Sequence, residues 1–195
     1  MRAAGIQVDM ADADIAAAAW DLNIGFFSRV LRQRPWVRVK VAASLDGRTA
    51  LDNGKSQWIT GEAARADGHH WRHRASAILT GTGTVLADNP RLNVRGVAGG
   101  SWQPLRVVVD SKLRTPTAAR LLDLPGAVLI VATAPADDDK LRFNAAATLL
   151  RERGAELHVQ DVAASKGAGT AAAAGAAKRV DLGRALHLLA SRGVG

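Results

Sequence analysis

The chain has no cysteine, and that absence removes several chemistries at once. It excludes disulfides, a thiolate nucleophile and any thiolate-bound zinc or iron–sulfur cluster. Aromatic residues are scarce, five Trp and three Phe, too few for a platform that stacks nucleic-acid bases. No apolar run nears the ~20 residues a membrane-spanning helix needs, so no membrane partner is expected. Residues Met1 to Ile6 lack the apolar core and cleavage pattern of a secretory leader, which predicts a cytoplasmic protein. Acidic residues are the minority charge: 18 Asp and Glu face 26 Lys and Arg, for a net charge of +8. The excess is mostly Arg, whose planar fork suits phosphate and carboxylate. It is spread along the chain and not gathered in an arm. That argues against a nucleic-acid partner and leaves a phosphorylated small molecule or a plain basic surface.

What is present is ordinary globular material. The 195 residues are 48% hydrophobic and 23% charged, a little more than one typical domain. Residues 3–8 read as a short strand and 11–33 as a helix. That helix carries two apolar stripes, Ile15, Leu22, Phe26 and Val30 on one side and Trp20, Ile24, Phe27 and Leu31 on the other. A helix apolar on two sides has to be covered on both. Pro35 ends it, and the alternation over 37–41 predicts a strand with one buried face. Turns follow at 44–48 and 52–54, then a helix over 61–74 with Thr60 as N-cap and Glu62 at its positive end.

Residues 77–80, 105–110 and 127–132 are short apolar runs of the kind found in parallel sheets covered on both faces. A helix over 138–153 is expected to turn Leu141, Ala145, Leu149 and Leu150 inward and to stop before Gly154. Residues 156–160 alternate as a half-exposed strand. The Ala/Gly-rich stretch 166–178 reads as a surface loop. A last helix over 182–192 has Leu182, Leu186 and Leu189 on one side, Asp181 as N-cap and Gly193 as its stop. Strands alternating with helices predict an α/β fold.

Gly81-Thr82-Gly83-Thr84-Val85-Leu86 follows a predicted strand but lacks the third glycine of a dinucleotide fingerprint. Two readings stay open: a strand-end loop whose bare amides approach a phosphate, or a tight turn needing positive φ. His69 and His73 sit four apart on one helix face, yet no third ligand adjoins them. The face therefore reads as solvated, together with His70 and the neighbouring arginines. No Gly-x-Ser-x-Gly elbow exists, so no catalytic serine is nominated.

Polar residues are dense between 40 and 95: Lys40, Asp46, Ser56, Trp58, Arg72, Thr84, Asp88 and Arg95. Parallel strands would gather these at their carboxyl ends, the usual ligand position in open α/β sheets. There Lys40 and an aspartate offer a proton donor and its acidic partner, while Arg72 and Arg95 suit a phosphate.

Several ungapped blocks resemble the reductase domain of the RibD family of riboflavin biosynthesis. They are Val37-Arg38-Val39-Lys40-Val41-Ala42-Ala43-Ser44-Leu45-Asp46-Gly47-Arg48-Thr49-Ala50, Gly54-Lys55-Ser56-Gln57-Trp58-Ile59-Thr60-Gly61, Ala77 to Pro90 with Leu92 and Arg95, and Pro104 to Ser111. The likeness covers 35–133 and, more loosely, 180–193. It implies a dihydrofolate-reductase-like α/β fold, a mostly parallel sheet flanked by helices whose C-terminal strands lie beyond this chain. It divides the chain into a deaminase-domain tail over 1–34 and a C-terminally truncated reductase domain over 35–195. The implied activity reduces the ribosyl group of 5-amino-6-(5-phosphoribosylamino)uracil to ribityl, with NADPH as hydride donor.

Carried over position by position, the resemblance puts cofactor contacts at Ala42, Trp58, Thr84, Asp88 and Ser111. It puts substrate contacts at Ser56, Arg72, Leu92 and Arg95. Lys40 matches the candidate catalytic lysine, and Asp88 would orient either Lys40 or the ribose. The expected partners are the phosphorylated pyrimidine substrate and either a second copy or a deaminase domain. The alternative is a truncated, non-catalytic nucleotide-binding module or a partner subunit of a full-length bifunctional protein.

Overall fold

A computed structural model describes residues 1–56, 58–97, 102–161 and 179–195. The expected 166–178 loop lies outside the described residues. The chain divides into two units, Met1–Arg38 with Leu186–Gly195, and Val39–Ala185.

The larger unit is built on four strands, β1 (Ala77–Gly81), β2 (Leu105–Val109), β3 (Val128–Thr133) and β4 (Ala155–Gln160), in the order β1-β2-β3-β4. Every neighbouring pair is parallel, with Leu79 opposite Val107, Val107 opposite Leu129 and Leu129 opposite Glu156. β3 is buried along its whole length, as its unbroken apolar run predicts for a central strand covered on both faces. Helices α3 (Glu62–Arg74), α4 (Thr82–Asp88) and α5 (Lys140–Glu152) connect or flank the strands. The core joins Val108, Leu113, Leu121, Ile130, Phe143, Ala147 and Leu150.

α5 follows the expected segment but in a different phase. Phe143, Ala147 and Leu150 are buried, while Leu141 (87% exposed), Ala145 and Leu149 face outward. The buried stripe runs Phe143, Ala147, Leu150 at spacings of four and three, and Leu141 and Leu149 outside it are left in solvent. α3 begins with Gly61 at the N-cap, not Thr60, and no side chain caps it. α6 (Leu182–Ser191) starts as expected: the Arg184 N–H donates to Asp181 Oδ1 at 3.0 Å, and Gly193 ends it with φ +85°. Leu189 is buried on it, Leu186 half-buried and Leu182 exposed.

Three expected elements differ. Residues 3–8 form no strand; a 3-10 turn covers Arg2–Ala4. Residues 37–41 are not a strand either, and Val37, Val39 (78% exposed) and Val41 lie open to solvent. Alternation marks a face that wants covering, but a strand also needs a neighbour to take up its N–H and C=O groups, and among the described residues none pairs here. The segment continues as two local turns, closed by Gly47 N–H to Ser44 O (2.9 Å) and Gly54 N–H to Leu51 O (2.8 Å).

The smaller unit holds the expected 11–33 helix as two, α1 (Ala13–Leu22) and α2 (Ile24–Arg32), interrupted at Asn23. The Asn23 side chain donates to Ala19 O at 2.8 Å, a local bond that competes with the helical ladder. Trp20 stacks on Phe27 with ring centroids 4.3 Å apart, joining members of the second stripe across the break. The double cover expected of the stripes is absent among the described residues: Ile15, Trp20, Leu22, Phe26, Val30 and Leu31 are exposed. Gly25 approaches Gly195 so closely that a Cβ would stand 2.7 Å from its carbonyl carbon.

Candidate active site

Two polar constellations form in the larger unit. The first surrounds a cavity of about 360 Å³ at the carboxyl ends of β1 and β2. Thr82 and Gly83 of α4, the 109–112 stretch, Arg114 and Arg179 line it. Its walls are tied together. Thr82 Oγ1 donates to Val109 O at 3.0 Å, joining the start of α4 to the end of β2. The Val180 N–H donates to Ser111 Oγ at 3.0 Å, which brings Arg179 to the same edge. Thr133 Oγ1 donates to Ser111 O at 2.8 Å. A Cβ at Gly81 or Gly83 would meet nothing within 4 Å, so the backbone there is open to close approach. Neither glycine has positive φ, and Gly81, at φ −93°, is the N-cap of α4. The tight-turn reading of this motif is therefore replaced by a strand running straight into a helix.

Three cationic side chains, Lys112, Arg114 and Arg179, line this cavity, and sequence reasoning had singled out none of them. The carboxylate among them is Asp110, 1% exposed, whose Oδ2 accepts from Thr115 N–H (2.6 Å) and Thr115 Oγ1 (2.7 Å). Its charge is spent inside the 110–115 turn.

The second constellation is Arg72 of α3, Arg95 and His69. Arg95 is carried by a stretch whose shape is set on both sides. Asn89 caps α4 in the left-handed region and accepts Arg120 N–H at 2.8 Å, and Val94 exchanges two hydrogen bonds with the Gln103 amide, at 2.8 and 3.2 Å. Burial holds the Arg72 guanidinium below its ordinary pKa, and the nearby Arg95 charge adds to that. His69 is also pushed down, by burial first and then by Arg72 and Arg95. Its Nδ1 is buried with no hydrogen-bond partner, which corrects the sequence-based expectation that His69 belongs to a solvated face. Arg72 is half-buried and Arg95 exposed, and two guanidinium groups near each other suit an anion. Among the described residues no group of three or more His, Asp or Glu side chains could hold a metal ion.

The structure distributes the expected site residues unevenly. Ser111 lines the cavity, and Thr84 lies in the first turn of α4 beside it. Asp88 ends α4, exposed. Arg72 and Arg95 lie near enough for the Arg95 charge to add to the lowering of the Arg72 pKa. Leu92 is 7% exposed, packs into the core and has φ +49°, so any ligand contact it makes runs through its backbone. Lys40, Ala42, Ser56 and Trp58 belong to the 37–60 segment, outside the cavity lining. Among the described residues Lys40 and Asp88 form no ion pair with each other. Trp58 is 72% exposed, with the Arg65 guanidinium 4.5 Å above its ring.

Residues 35–195 match the family model described as the RibD C-terminal domain. The riboflavin biosynthesis protein RibD of Aquifex aeolicus is 36% identical over 157 residues, which is 80% of this chain and 41% of that protein. A crystal form of Acinetobacter baumannii RibD superposes with a TM-score of 0.72 at 31% identity, covering 98% of this chain and 46% of the other. A Thermotoga maritima diaminohydroxyphosphoribosylaminopyrimidine deaminase/5-amino-6-(5-phosphoribosylamino)uracil reductase gives 0.64 at 25% identity, covering 92% and 42%. The chain spans about two fifths of the length of these relatives. The parallel sheet and its flanking helices are of the dihydrofolate-reductase-like type found in those reductases.

Proposed function

Because the chain belongs to the RibD C-terminal domain family, we propose that it binds NADPH and reduces the ribosyl group of 5-amino-6-(5-phosphoribosylamino)uracil to ribityl. The observation that carries this reading is the pair of basic constellations in one unit, the cavity at the β1–β2 edge and the Arg72–Arg95 cluster. A reductase joining a dinucleotide to a phosphorylated sugar needs an anion seat for each reactant, placed so that the two reacting carbons meet.

The residues present fit the dinucleotide: an open backbone at Gly83, the Ser111 hydroxyl, and cationic side chains around them. When bound, NADPH supplies the hydride. Ala42, Trp58, Thr84, Asp88 and Ser111 would hold and orient it. Ser56, the Leu92 backbone, Arg72 and Arg95 would hold the substrate, with the two guanidinium groups on its phosphate. Lys40 would carry the proton that accompanies hydride on its Nζ, and Asp88 would orient it.

The test is to titrate NADPH into the purified chain while following tryptophan emission, and then to assay turnover of the pyrimidine substrate. Saturable quenching that Trp58→Phe largely removes, with turnover lost in Lys40→Ala but binding kept, is expected. Quenching unchanged in Trp58→Phe would remove the indole from the cofactor site, and folded protein without turnover would refute the reductase reading.

A further inference from the structure

Trp58 is the most exposed of the five tryptophans, 72% against 37–47% for the others, and it is nevertheless held. The Arg65 guanidinium lies 4.5 Å from its ring centroid and covers one face of the indole. The same guanidinium donates from Nη1 to Thr60 O at 2.5 Å. One planar group thus stacks on the ring and ties the backbone beside it. Arg65 can do both because it stands on α3, four residues past the Gly61 cap, with its N–H donating to Gly61 O at 3.2 Å. Among the described residues the hydrogen bonds of 44–55 run within that stretch, closing local turns. Arg65 connects the end of the segment to a regular element.

A tryptophan contributes to a fold mainly by burying its large ring. Trp58 does not, so its fixed position is explained by what can stack on it. With Arg65 on one face and most of the residue in solvent, the opposite face is open to a flat ring. An indole already held in place costs a ligand little ordering of that side chain on binding. We propose that Arg65 is a positioning residue that fixes Trp58 as a one-sided platform for a flat heteroaromatic ring of the dinucleotide. This rests on the proposed reductase reading, in which Trp58 meets the cofactor, and adds the residue that acts through it. Arg65 lies behind the indole, on the face away from the ligand, and its contribution is order in Trp58 before binding. Lysine would keep the charge but has no plane to lay on the ring while donating to Thr60 O.

The test is calorimetric titration of the full chain with NADPH, its two halves 2′,5′-ADP and reduced nicotinamide mononucleotide, and ribose 5-phosphate. The unmodified chain is compared with Arg65→Met, Arg65→Lys, Trp58→Ala and the Arg65→Met/Trp58→Ala double variant, each checked for folding by circular dichroism. NADPH affinity should fall about tenfold in Trp58→Ala, the loss of one stacked ring, and about fivefold in Arg65→Met. The double variant should be no weaker than Trp58→Ala alone, because Arg65 acts through the indole. The cofactor half weakened by Trp58→Ala should also be the half weakened by Arg65→Met. Arg65→Lys should recover little, and it keeps the comparison available should Arg65→Met not fold. Ribose 5-phosphate should change less than about twofold in every variant, since its proposed seat is Arg72 and Arg95. Without any ligand, acrylamide should quench more tryptophan emission in Arg65→Met than in the unmodified chain, and the difference should vanish once Trp58 is replaced as well. Additive losses in the double variant, or ribose 5-phosphate weakened as much as NADPH in Arg65→Met, give Arg65 a structural role in α3. Either result overturns the inference and leaves the reductase reading standing. So does full recovery by lysine, or NADPH affinity unchanged in Arg65→Met or Trp58→Ala. An unmodified chain that binds neither NADPH nor either half refutes the reading and the inference together.

Discussion

Arg106 carries a guanidinium into the sheet, 1% exposed, with no carboxylate among its hydrogen-bond partners. It donates instead to four backbone carbonyls, of Leu121 (2.5 Å), Leu124 (2.9 Å), Pro125 (3.0 Å) and Gly126 (2.5 Å). One side chain thereby satisfies the loop that leads into β3, and Gly126, at φ +108°, leaves it room. Arg106→Met keeps the length but strands those carbonyls, and should cost about 3 kcal/mol or more in a urea titration. His69 offers a pH-dependent readout. Its folded pKa lies below the ordinary 6.5, so the unfolded chain takes the proton first. The stability it lends is full above 6.5 and is lost as pH falls below that value toward its folded pKa. Arg95→Ala removes one cause, so the His69 imidazole resonance should titrate at higher pH in that variant. An unchanged midpoint would show that Arg95 does not act on it.

At the scale of the element, phase decides more than identity. Leu150→Ala, at a fully buried position of α5, should cost about 2–5 kcal/mol. Leu141→Ala on the same helix should change stability by less than about 0.5 kcal/mol, both read from denaturant midpoints. In α2, Gly25→Ala should destabilise despite alanine's better helix propensity, because the new methyl would stand 2.7 Å from the Gly195 backbone. These elements also show what the sequence makes legible. β2 and β3 are plain in it because a continuous apolar run is itself the signature of a doubly covered strand. The α5 segment was legible, but its phase was not, since leucines and alanines lie on every side of it. Residues 37–41 alternate correctly and still form no strand, because alternation carries no information about a pairing neighbour. Arg72 and Arg95 stood out through the family resemblance. Lys112, Arg114 and Arg179 did not, because Arg179 reaches its companions only through a hydrogen bond between residues 69 apart in sequence. His69 was misassigned because helical spacing says which face it shares, not what buries that face.

At the scale of the molecule, order is graded along the chain. β3 is buried throughout and hydrogen-bonded on both edges, whereas 37–60 is held by short turns and exposed side chains. Amide exchange should follow that gradient, slowest in β2 and β3 and fast over 37–60. Protection of 37–41 comparable to β3 would contradict the exposed placement of Lys40. No helix among the described residues is long and apolar enough to cross a membrane. A last consequence follows from the close of the sheet. Asp181 N–H donates to Gln160 Oε1 at 2.8 Å, Gln160 Nε2 to Asp181 O at 3.2 Å, and the Arg184 guanidinium to Asp161 O at 2.9 Å. The end of β4 and the start of α6 are thus stapled to each other whatever sequence runs between them. Closure entropy grows only slowly with length, about 0.6 kcal/mol per doubling. The place of Arg179 beside Ser111 is therefore set by bonds at the two ends of the connection, and Gln160→Ala, which removes two of them, should loosen it.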